Sequence, residues 1–289
     1  MAAGNELIDW SAFHSRLRIR GTLHTETALR IGSGGGGSPT ESDLPVLKDL
    51  QGRPYIPGSS FKGAYRAHLE RLLRGMDERL ACTSTSRPYR GTLPGCLTQE
   101  EVDWLKQQPK YQKDAAALAR EIMDRSCWTC LLLGAPWLAS KVLVRDLTVD
   151  ANTWFDHYLI RDGVAIDRDT ETAAEGLKYD FEAVPSGTEF NFEMVIENAS
   201  DAELGLALLG LREFEVGYVQ LGGATSRGLG SVRLFLDWEM SEWTSAAERN
   251  EYLAYLKDGI TRPLSQERRE DCWRQFLGAL EATGGMRHA

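Results

Sequence analysis

Alternating apolar and polar residues predict the strands of this chain. The alternation is clearest from Thr188 to Glu197, where apolar side chains occupy every second position: Phe190, Phe192, Met194 and Ile196. A period of two is typical of a strand with one buried face. The same pattern, rich in threonine, predicts one or two strands within residues 15–31. Further strands are predicted at 44–48, 54–56, 142–147 and after Gly230.

Helices are predicted where apolar residues recur three and four positions apart. A helix over about 59–74 follows Pro57-Gly58, and either Ser59 or Ser60 is the expected N-cap. A second helix spans about 201–215 with Asp201 as its cap, and its buried stripe contains Leu204, Ala207, Leu208 and Leu211. Shorter helices are predicted at 98–108 with Thr98 as cap, at 112–125 and at 266–282.

The order of these elements predicts an α+β fold. Strand, helix, strand, then strand, helix, strand is the order of a ferredoxin-like (RRM-like) domain. We assign residues 1–75 and 139–237 to this core, 76–138 to a helical insert that contains cysteines, and 238–289 to a helical C-terminal region. Residues 150–182 are polar, with scattered aromatics, and predict a protruding hairpin.

Composition limits the function classes. Of the 289 residues, 42% are hydrophobic and 26% are charged, which is typical of a soluble globular protein. No stretch is apolar enough to span a bilayer, and the N-terminus lacks a signal-peptide pattern, so we expect a cytoplasmic protein without membrane contact. The net charge of −9 argues against broad nonspecific adhesion to nucleic acid, yet a local basic groove remains compatible with it.

Four cysteines in the first half of the chain predict a metal site. Cys127 and Cys130 are separated by two residues, which lets both thiolates face one ion. Cys82 and Cys96 complete a set of four sulfurs, which suits a structural zinc ion in an insert too small to form its own core. The alternative is four reduced thiols, some of them buried in the core.

Two stretches are candidates for binding a phosphate chain. At the helix start, Ser59 and Ser60 precede Lys62 and Arg66, and first-turn amides can bind phosphate. The alternative is an ordinary capped helix with a solvated basic face. The second stretch is the glycine-rich loop from Gly222 to Gly230, whose candidate residues are Gly222, Gly223, Thr225, Ser226 and Arg227. The alternative there is a plain hairpin turn.

A lone acidic residue lies beside another glycine-rich loop. Residues 32–40 contain five glycines and run into Asp43, which lies at the junction with a predicted strand. A carboxylate at such a place can act as a general base, a metal ligand or a turn cap. The residue pattern by itself leaves these three roles open.

Three motifs in order resemble one known family. They are Asp43-Leu-Pro-Val followed by Asp49, the stretch Pro54-Tyr-Ile-Pro-Gly-Ser-Ser-Phe-Lys-Gly-Ala-Tyr-Arg66, and Gly222-Gly-Ala-Thr-Ser-Arg-Gly-Leu-Gly-Ser-Val-Arg233. Together they resemble the RAMP superfamily, and more closely its zinc-bearing branch of backbone subunits in type III CRISPR effector complexes. The resemblance covers roughly residues 15–235 and adds Ala139–Asp146 and Phe181–Phe190 in the same order.

This resemblance implies a function in CRISPR interference guided by RNA. Such subunits line up along a guide crRNA beside other effector subunits or further copies of themselves, and a thumb hairpin kinks the guide–target RNA duplex. The residues expected to contact RNA are Ser59, Ser60, Lys62, Arg66, Gly222, Gly223, Thr225, Ser226, Arg227 and Arg30. Asp43 is the expected catalytic residue, with a divalent metal such as Mg²⁺ or Mn²⁺, and Cys82, Cys96, Cys127 and Cys130 are the expected zinc ligands.

The sequence departs from the family at one position that bears on catalysis. Close relatives often carry histidine where this chain has Arg30, and arginine cannot act as a base at neutral pH. Asp43 would therefore lack that neighbour. A purely architectural subunit with an inert Asp43 is the main alternative. A guide-processing ribonuclease ranks last, because no histidine here has a catalytic setting.

Overall fold

The computed structural model describes residues 12–34, 42–82, 96–166, 168–169 and 171–284. The strands are β1 (Ser15–Thr25), β2 (Tyr55–Ile56), β3 (Val142–Val144), β4 (Leu147–Thr148), β5 (Leu159–Ile166), β6 (Ala173–Ala183), β7 (Glu189–Glu197) and β8 (Val232–Ser245). The helices are α1 (Gly58–Met76), α2 (Gln99–Gln107), α3 (Pro109–Gln112), α4 (Ala115–Asp124), α5 (Trp128–Leu133), α6 (Asp201–Glu215), α7 (Arg249–Asp258) and α8 (Gln266–Gly284). The protein is therefore of mixed α+β type, as the element order predicts.

A four-stranded antiparallel sheet forms the centre of the fold. Its strand order is β3-β7-β1-β8. Helix α1 lies between β1 and β3 along the chain, and α6 lies between β7 and β8. Each pair of strands connected through one of these helices is thus separated in the sheet by one other strand, which is the arrangement of a split β-α-β unit.

The hydrophobic core lies between one face of the sheet and helices α1 and α6. All four apolar side chains predicted to share a face of β7 are buried: Phe190, Phe192, Met194 and Ile196. The ring of Phe61 on α1 lies 4.4 Å from that of Phe214 on α6, centroid to centroid. The buried hydroxyl of Tyr65 donates to the carbonyl of Ala207 at 2.6 Å, so its polar atom is satisfied.

Two predicted helix caps are wrong. Helix α1 begins at Gly58, and its N-cap is Pro57, whose side chain makes no capping hydrogen bond. The Gly58 amide instead donates to Asp146 Oδ1 at 2.8 Å. A Cβ on Gly58 would lie 2.1 Å from the Val144 carbonyl oxygen, so only glycine fits there. Helix α6 is capped by the Ser200 capping box and not by Asp201.

The C-terminal region continues the core. Strand β8 runs to Ser245, beyond residue 237, and its last residues pair with the start of β1. Helix α8 then packs on α6, and Cys272 and Phe276 are buried between them. The close approach requires Gly205 on α6, because a Cβ there would lie 2.3 Å from the Cys272 carbonyl oxygen.

Other predicted elements differ in detail. The segment 44–48 is not a regular strand but forms isolated bridges, one of them to β6. The helix predicted at 112–125 begins at 115, after the separate short helix α3. Most of the glycine-rich stretch 32–40 lies outside the described residues. In the part of the chain that the structure describes, no helix combines the length and apolar character that crossing a bilayer requires.

Candidate nucleic-acid interface and metal centre

The glycine-rich loop from Gly222 to Gly230 packs tightly against Arg30. The Gly223 amide donates to the Arg30 carbonyl at 2.9 Å. Gly222 has a φ of +79°, and a Cβ there would lie 2.2 Å from the same carbonyl oxygen. Glycine is required at this position for both reasons, because L-residues disfavour positive φ and a side chain would collide with backbone.

The same loop is attached to the hairpin of β5 and β6. A short 3-10 helix, Thr225–Arg227, presents an exposed Arg227. Its Nη1 donates to the Tyr179 hydroxyl on β6 at 2.6 Å. Leu229 is buried in a small cluster with Phe181 of the same strand. The loop and the hairpin therefore form one connected surface.

Asp43 lies beside the same strand, β6. Leu44 forms a parallel bridge to Phe181, and the Glu182 amide donates to the Leu44 carbonyl at 3.2 Å. The Asp43 amide donates to Asp180 Oδ1 at 2.8 Å, and Asp43 Oδ2 accepts from the Asp180 amide at 3.1 Å. Asp43 is exposed, so its carboxylate is held by these bonds while remaining open to solvent.

Arg30 supplies a cation between the two loops. Its guanidinium carbon lies 6.0 Å from the centroid of the Phe181 ring. Its Nε is buried and has no hydrogen-bond partner among the described residues. Asp43, Arg30 and Arg227 are thus all joined to β6, and this group of residues is called the β6 site below.

The basic residues of α1 lie in a different environment. Lys62 Nζ donates to Ser140 Oγ at 2.6 Å and to the Val142 carbonyl at 2.9 Å. Burial, and secondarily the charge of Arg66, lower the pKa of Lys62. Ser59 is exposed and Ser60 is partly buried. The structure therefore places Lys62 on the side of α1 that faces residues 140–142.

Arg66 connects α1 to the cysteines. Its guanidinium donates to Glu70 Oε1 at 2.7 Å, to the Gly134 carbonyl at 2.8 Å and to Cys130 Sγ at 3.3 Å. Burial alone would lower the pKa of Arg66, but the hydrogen bonds to Glu70 and Cys130 outweigh it and raise that pKa. A permanent cation beside a sulfur favours the thiolate form.

The four cysteines converge as the sequence predicts. The Sγ atoms of Cys82, Cys96, Cys127 and Cys130 all lie within 4.8 Å of one another, and none forms a disulfide. The distance from Cys82 Sγ is 3.4 Å to Cys130 Sγ and 3.6 Å to Cys127 Sγ. A tetrahedral ion with Zn–S bonds of 2.3 Å would place its sulfurs about 3.8 Å apart, so this spacing suits such an ion.

The hydrogen bonds around the sulfurs also suit a metal centre. The Cys82 amide donates to Cys127 Sγ and the Cys127 amide donates to Cys96 Sγ, each at 3.4 Å. Hydrogen bonds from Cys130, Cys82 and Cys96 lower the pKa of the Cys127 thiol, and the same contacts raise the pKa of Cys82 and Cys130, so Cys127 is the sulfur that ionises first. Thiolates are the ligand form that metals require. The cluster can therefore hold a metal ion such as zinc.

Sequence reasoning missed the central part of β6. Tyr179, Asp180 and Glu182 contact both candidate loops, yet none of them is among the predicted site residues. The available signal was the pair of carboxylates at 180 and 182, since residues two apart share one face of a strand. The residues that these carboxylates bind, Asp43 and Val46, are more than 130 positions away along the chain, so the pattern alone does not identify them.

A pair of glycine substitutions tests the loop geometry. We expect Gly228→Ala to destabilise the protein by about 1 to 2 kcal/mol, because Gly228 has a φ of +84° but open space around its Cα. Gly222→Ala adds a collision with the Arg30 carbonyl, and overpacking contributes roughly 1 to 3 kcal/mol more. Urea unfolding of the two variants measures the difference. Equal losses would contradict the close contact at Gly222.

The class of this protein is defined by the split β-α-β sheet together with a hairpin and a glycine-rich loop that contact each other. The chain belongs to the RAMP superfamily, whose family model matches residues 22–233.

Two particular members of the class are similar over most of the chain, and a third is similar over a shorter stretch. The "CRISPR system Cms endoribonuclease Csm3" of Methanocaldococcus jannaschii is 29% identical over 230 residues, which cover 74% of this chain and 77% of that protein. The protein of the same name from Enterococcus italicus is 28% identical over 230 residues, covering 78% and 92% of the two chains. That of Mycobacterium tuberculosis is 43% identical over 60 residues, 20% of this chain and 25% of its own.

Proposed function

We propose that this protein is a guide-RNA-binding backbone subunit of a type III CRISPR effector complex and that it cuts the target RNA. One observation carries the proposal: the exposed Asp43 and the cations Arg30 and Arg227 are joined to the same strand, β6. Relatives whose names describe an endoribonuclease of a CRISPR system support it. The ferredoxin-like core acts as the palm, and the hairpin of β5 and β6 acts as the thumb.

Guide binding requires cations and backbone amides along one surface. The Gly222–Gly230 loop offers Gly223, Thr225, Ser226 and an exposed Arg227 to a phosphate chain. Ser59, Ser60, Lys62 and Arg66 form the second proposed contact, at the start of α1. Partners of the protein are then the guide crRNA, the target RNA and neighbouring effector subunits or further copies of this chain, in the cytoplasm.

The proposed reaction is an internal transesterification of the target RNA. The 2′-hydroxyl attacks the adjacent phosphorus and the bond to the 5′-oxygen breaks, which leaves a 2′,3′-cyclic phosphate and a 5′-hydroxyl end. Asp43 takes the 2′-hydroxyl proton, and the leaving 5′-oxygen takes a proton from water. Arg30 attracts the phosphate that reacts. In the alternative role, Asp43 would hold a bound Mg²⁺ or Mn²⁺ instead of taking the proton, and the ion would neutralise developing negative charge.

The cysteine centre has a structural role in this proposal. A zinc ion held by Cys82, Cys96, Cys127 and Cys130 would join the insert to α1 through Arg66, which donates to Cys130. Such a closed set of four thiolates leaves no open position for substrate. The zinc is therefore separate from the metal proposed for cleavage.

Purification of the protein from its own cell tests the proposed function. We expect it to co-purify with other effector subunits and with short RNAs of defined length that carry a repeat-derived tag. The isolated complex should cut an RNA complementary to the guide and leave cyclic phosphate ends. Absence of RNA affinity, alone and in the complex, would overturn the proposal. Guide binding without any cutting would favour the architectural alternative.

Lys62→Ala tests the second RNA contact. If Lys62 exchanges its bonds to Ser140 and Val142 for a phosphate, its loss should weaken RNA binding and reduce the salt slope by about one unit. Ser140→Ala serves as the control, because it removes the internal partner and keeps the cation. An unchanged salt slope in Lys62→Ala would show that Lys62 serves the fold alone.

A further inference from the structure

Two carboxylates of β6, Asp180 and Glu182, hold residues 42–48 beside that strand. Asp180 Oδ1 accepts from the Asp43 amide and from Ser42 Oγ, each at 2.8 Å. Glu182 Oε2 accepts from the Val46 amide at 3.1 Å, and the carboxylate also pairs with Lys48. Residues 42–48 thus follow the hairpin strand and are not attached to the sheet of the core by these bonds.

The bonds between Asp43 and Asp180 are reciprocal. Each residue donates its amide to the carboxylate of the other, at 2.8 Å in one direction and 3.1 Å in the other. The pair therefore sets both the backbone of residue 43 and the direction of its side chain. Asp43 Oδ1 has no hydrogen-bond partner among the described residues, which leaves this oxygen to act on a substrate.

We infer that Asp180 is the positioning residue for Asp43, an inference that rests on the proposed function. Asp180 belongs to the hairpin and Asp43 to the loop that would carry the reaction. A target RNA that shifts the hairpin must therefore also shift the Asp43 carboxylate. Cleavage is thereby coupled to correct seating of the duplex under the hairpin.

Two variants separate positioning from direct action on metal or substrate. Asp180→Ala removes the acceptor for the Asp43 amide and the Ser42 hydroxyl. Asp180→Asn keeps one carbonyl oxygen for those donors and removes the negative charge. A residue that acts through hydrogen bonds tolerates asparagine, whereas a carboxylate that binds a metal does not. Asp156→Asn is the control for charge loss in the segment just before the hairpin, because asparagine tolerates the φ of 52° found at Asp156.

Single-turnover cleavage by the assembled complex is the first measurement, with Mn²⁺ or Mg²⁺ present. We expect Asp180→Ala to slow cutting roughly 10- to 100-fold, because a displacement of about 1 Å costs this much. Target affinity should not change, and Asp180→Asn and Asp156→Asn should cut at nearly the wild-type rate. Wild-type cutting by Asp180→Ala would overturn the inference. An equal loss in Asp180→Ala and Asp180→Asn would also overturn it, in favour of a direct role for the charge.

Hydrogen exchange of residues 42–48 is the second measurement, and it does not depend on activity. Asp180→Ala should accelerate exchange of these amides, while Asp180→Asn and Asp156→Asn should leave it unchanged. Unaltered exchange in Asp180→Ala would overturn the inference even if the complex proves inactive. Failure of the proposed function gives a different result, in which the wild type does not cut or Asp43→Ala cuts as fast as the wild type.

Discussion

Replacing Cys127 by serine is expected to release the metal from the purified protein and to loosen the cysteine insert. A serine hydroxyl is a poor zinc ligand, and Cys127 is also the N-cap residue of α5. Within the described residues of the insert, a small apolar cluster is formed by Leu97, Val102, Leu105 and Ile122. Zinc bound to such a set contributes roughly 10 to 16 kcal/mol of apparent free energy in small domains. Its loss is therefore expected to dominate the stability of this region.

Metal analysis and thermal unfolding measure this effect. The wild type should contain one zinc per chain, and Cys127→Ser should contain much less and unfold at a temperature lower by about 5 °C or more. Cys272→Ser is the matched control, since Cys272 is buried between α6 and α8 and lies outside the cluster. That control should lose some stability but keep its metal. A metal-free wild type, or full metal content in Cys127→Ser, would refute the zinc site.

Asp43→Ala is expected to abolish cutting of the target RNA while guide binding survives. Loss of a general base slows a reaction by about 10² to 10⁴-fold. Binding should persist because Arg227 and the Gly222–Gly230 loop are unchanged, and because Asp43 contributes negative charge that does not attract phosphate. Product analysis on gels and the affinity of the complex for guide and target, measured on one preparation, test both halves of this prediction.

A remote aspartate controls for the loss of charge. Asp103 is exposed on α2 in the cysteine insert, and Asp103→Ala should cut at the wild-type rate. Unchanged cutting by Asp43→Ala would eliminate Asp43 as the catalytic residue. Loss of guide binding in that variant would instead indicate that the loop folds around the carboxylate.

Much of the core could be predicted from local patterns. The alternation from Thr188 to Glu197 corresponds to β7, and the excursion at 150–182 corresponds to the hairpin of β5 and β6. The Thr98 capping box of α2 is also present as predicted, because its donors and acceptors all lie within four residues. Elements whose determinants are local in sequence were therefore found within a few residues of their observed bounds.

Other features depended on distant partners. A serine cap was predicted for α1, yet Asp146 holds its first amide across 88 positions. Lys62 and Arg66 were expected to share one helix face beside the first-turn amides, with a solvated face as the alternative; in the structure Ser140, Val142 and Cys130 bind their charged groups. Helical spacing gives the relative direction of two side chains but not what packs beside them.

The sequence by itself determined the order of the main strands and helices of the core, the four-cysteine set and the motifs that resemble the RAMP superfamily. Only the tertiary structure decided that Asp43, Arg30 and Arg227 meet at β6, and that Asp180 holds Asp43. The physical reason is the distance along the chain over which each interaction acts. Periodicity, capping and Cys-x-x-Cys spacing act over a few residues, whereas the contacts at β6 join positions that are 48 and 137 apart along the chain.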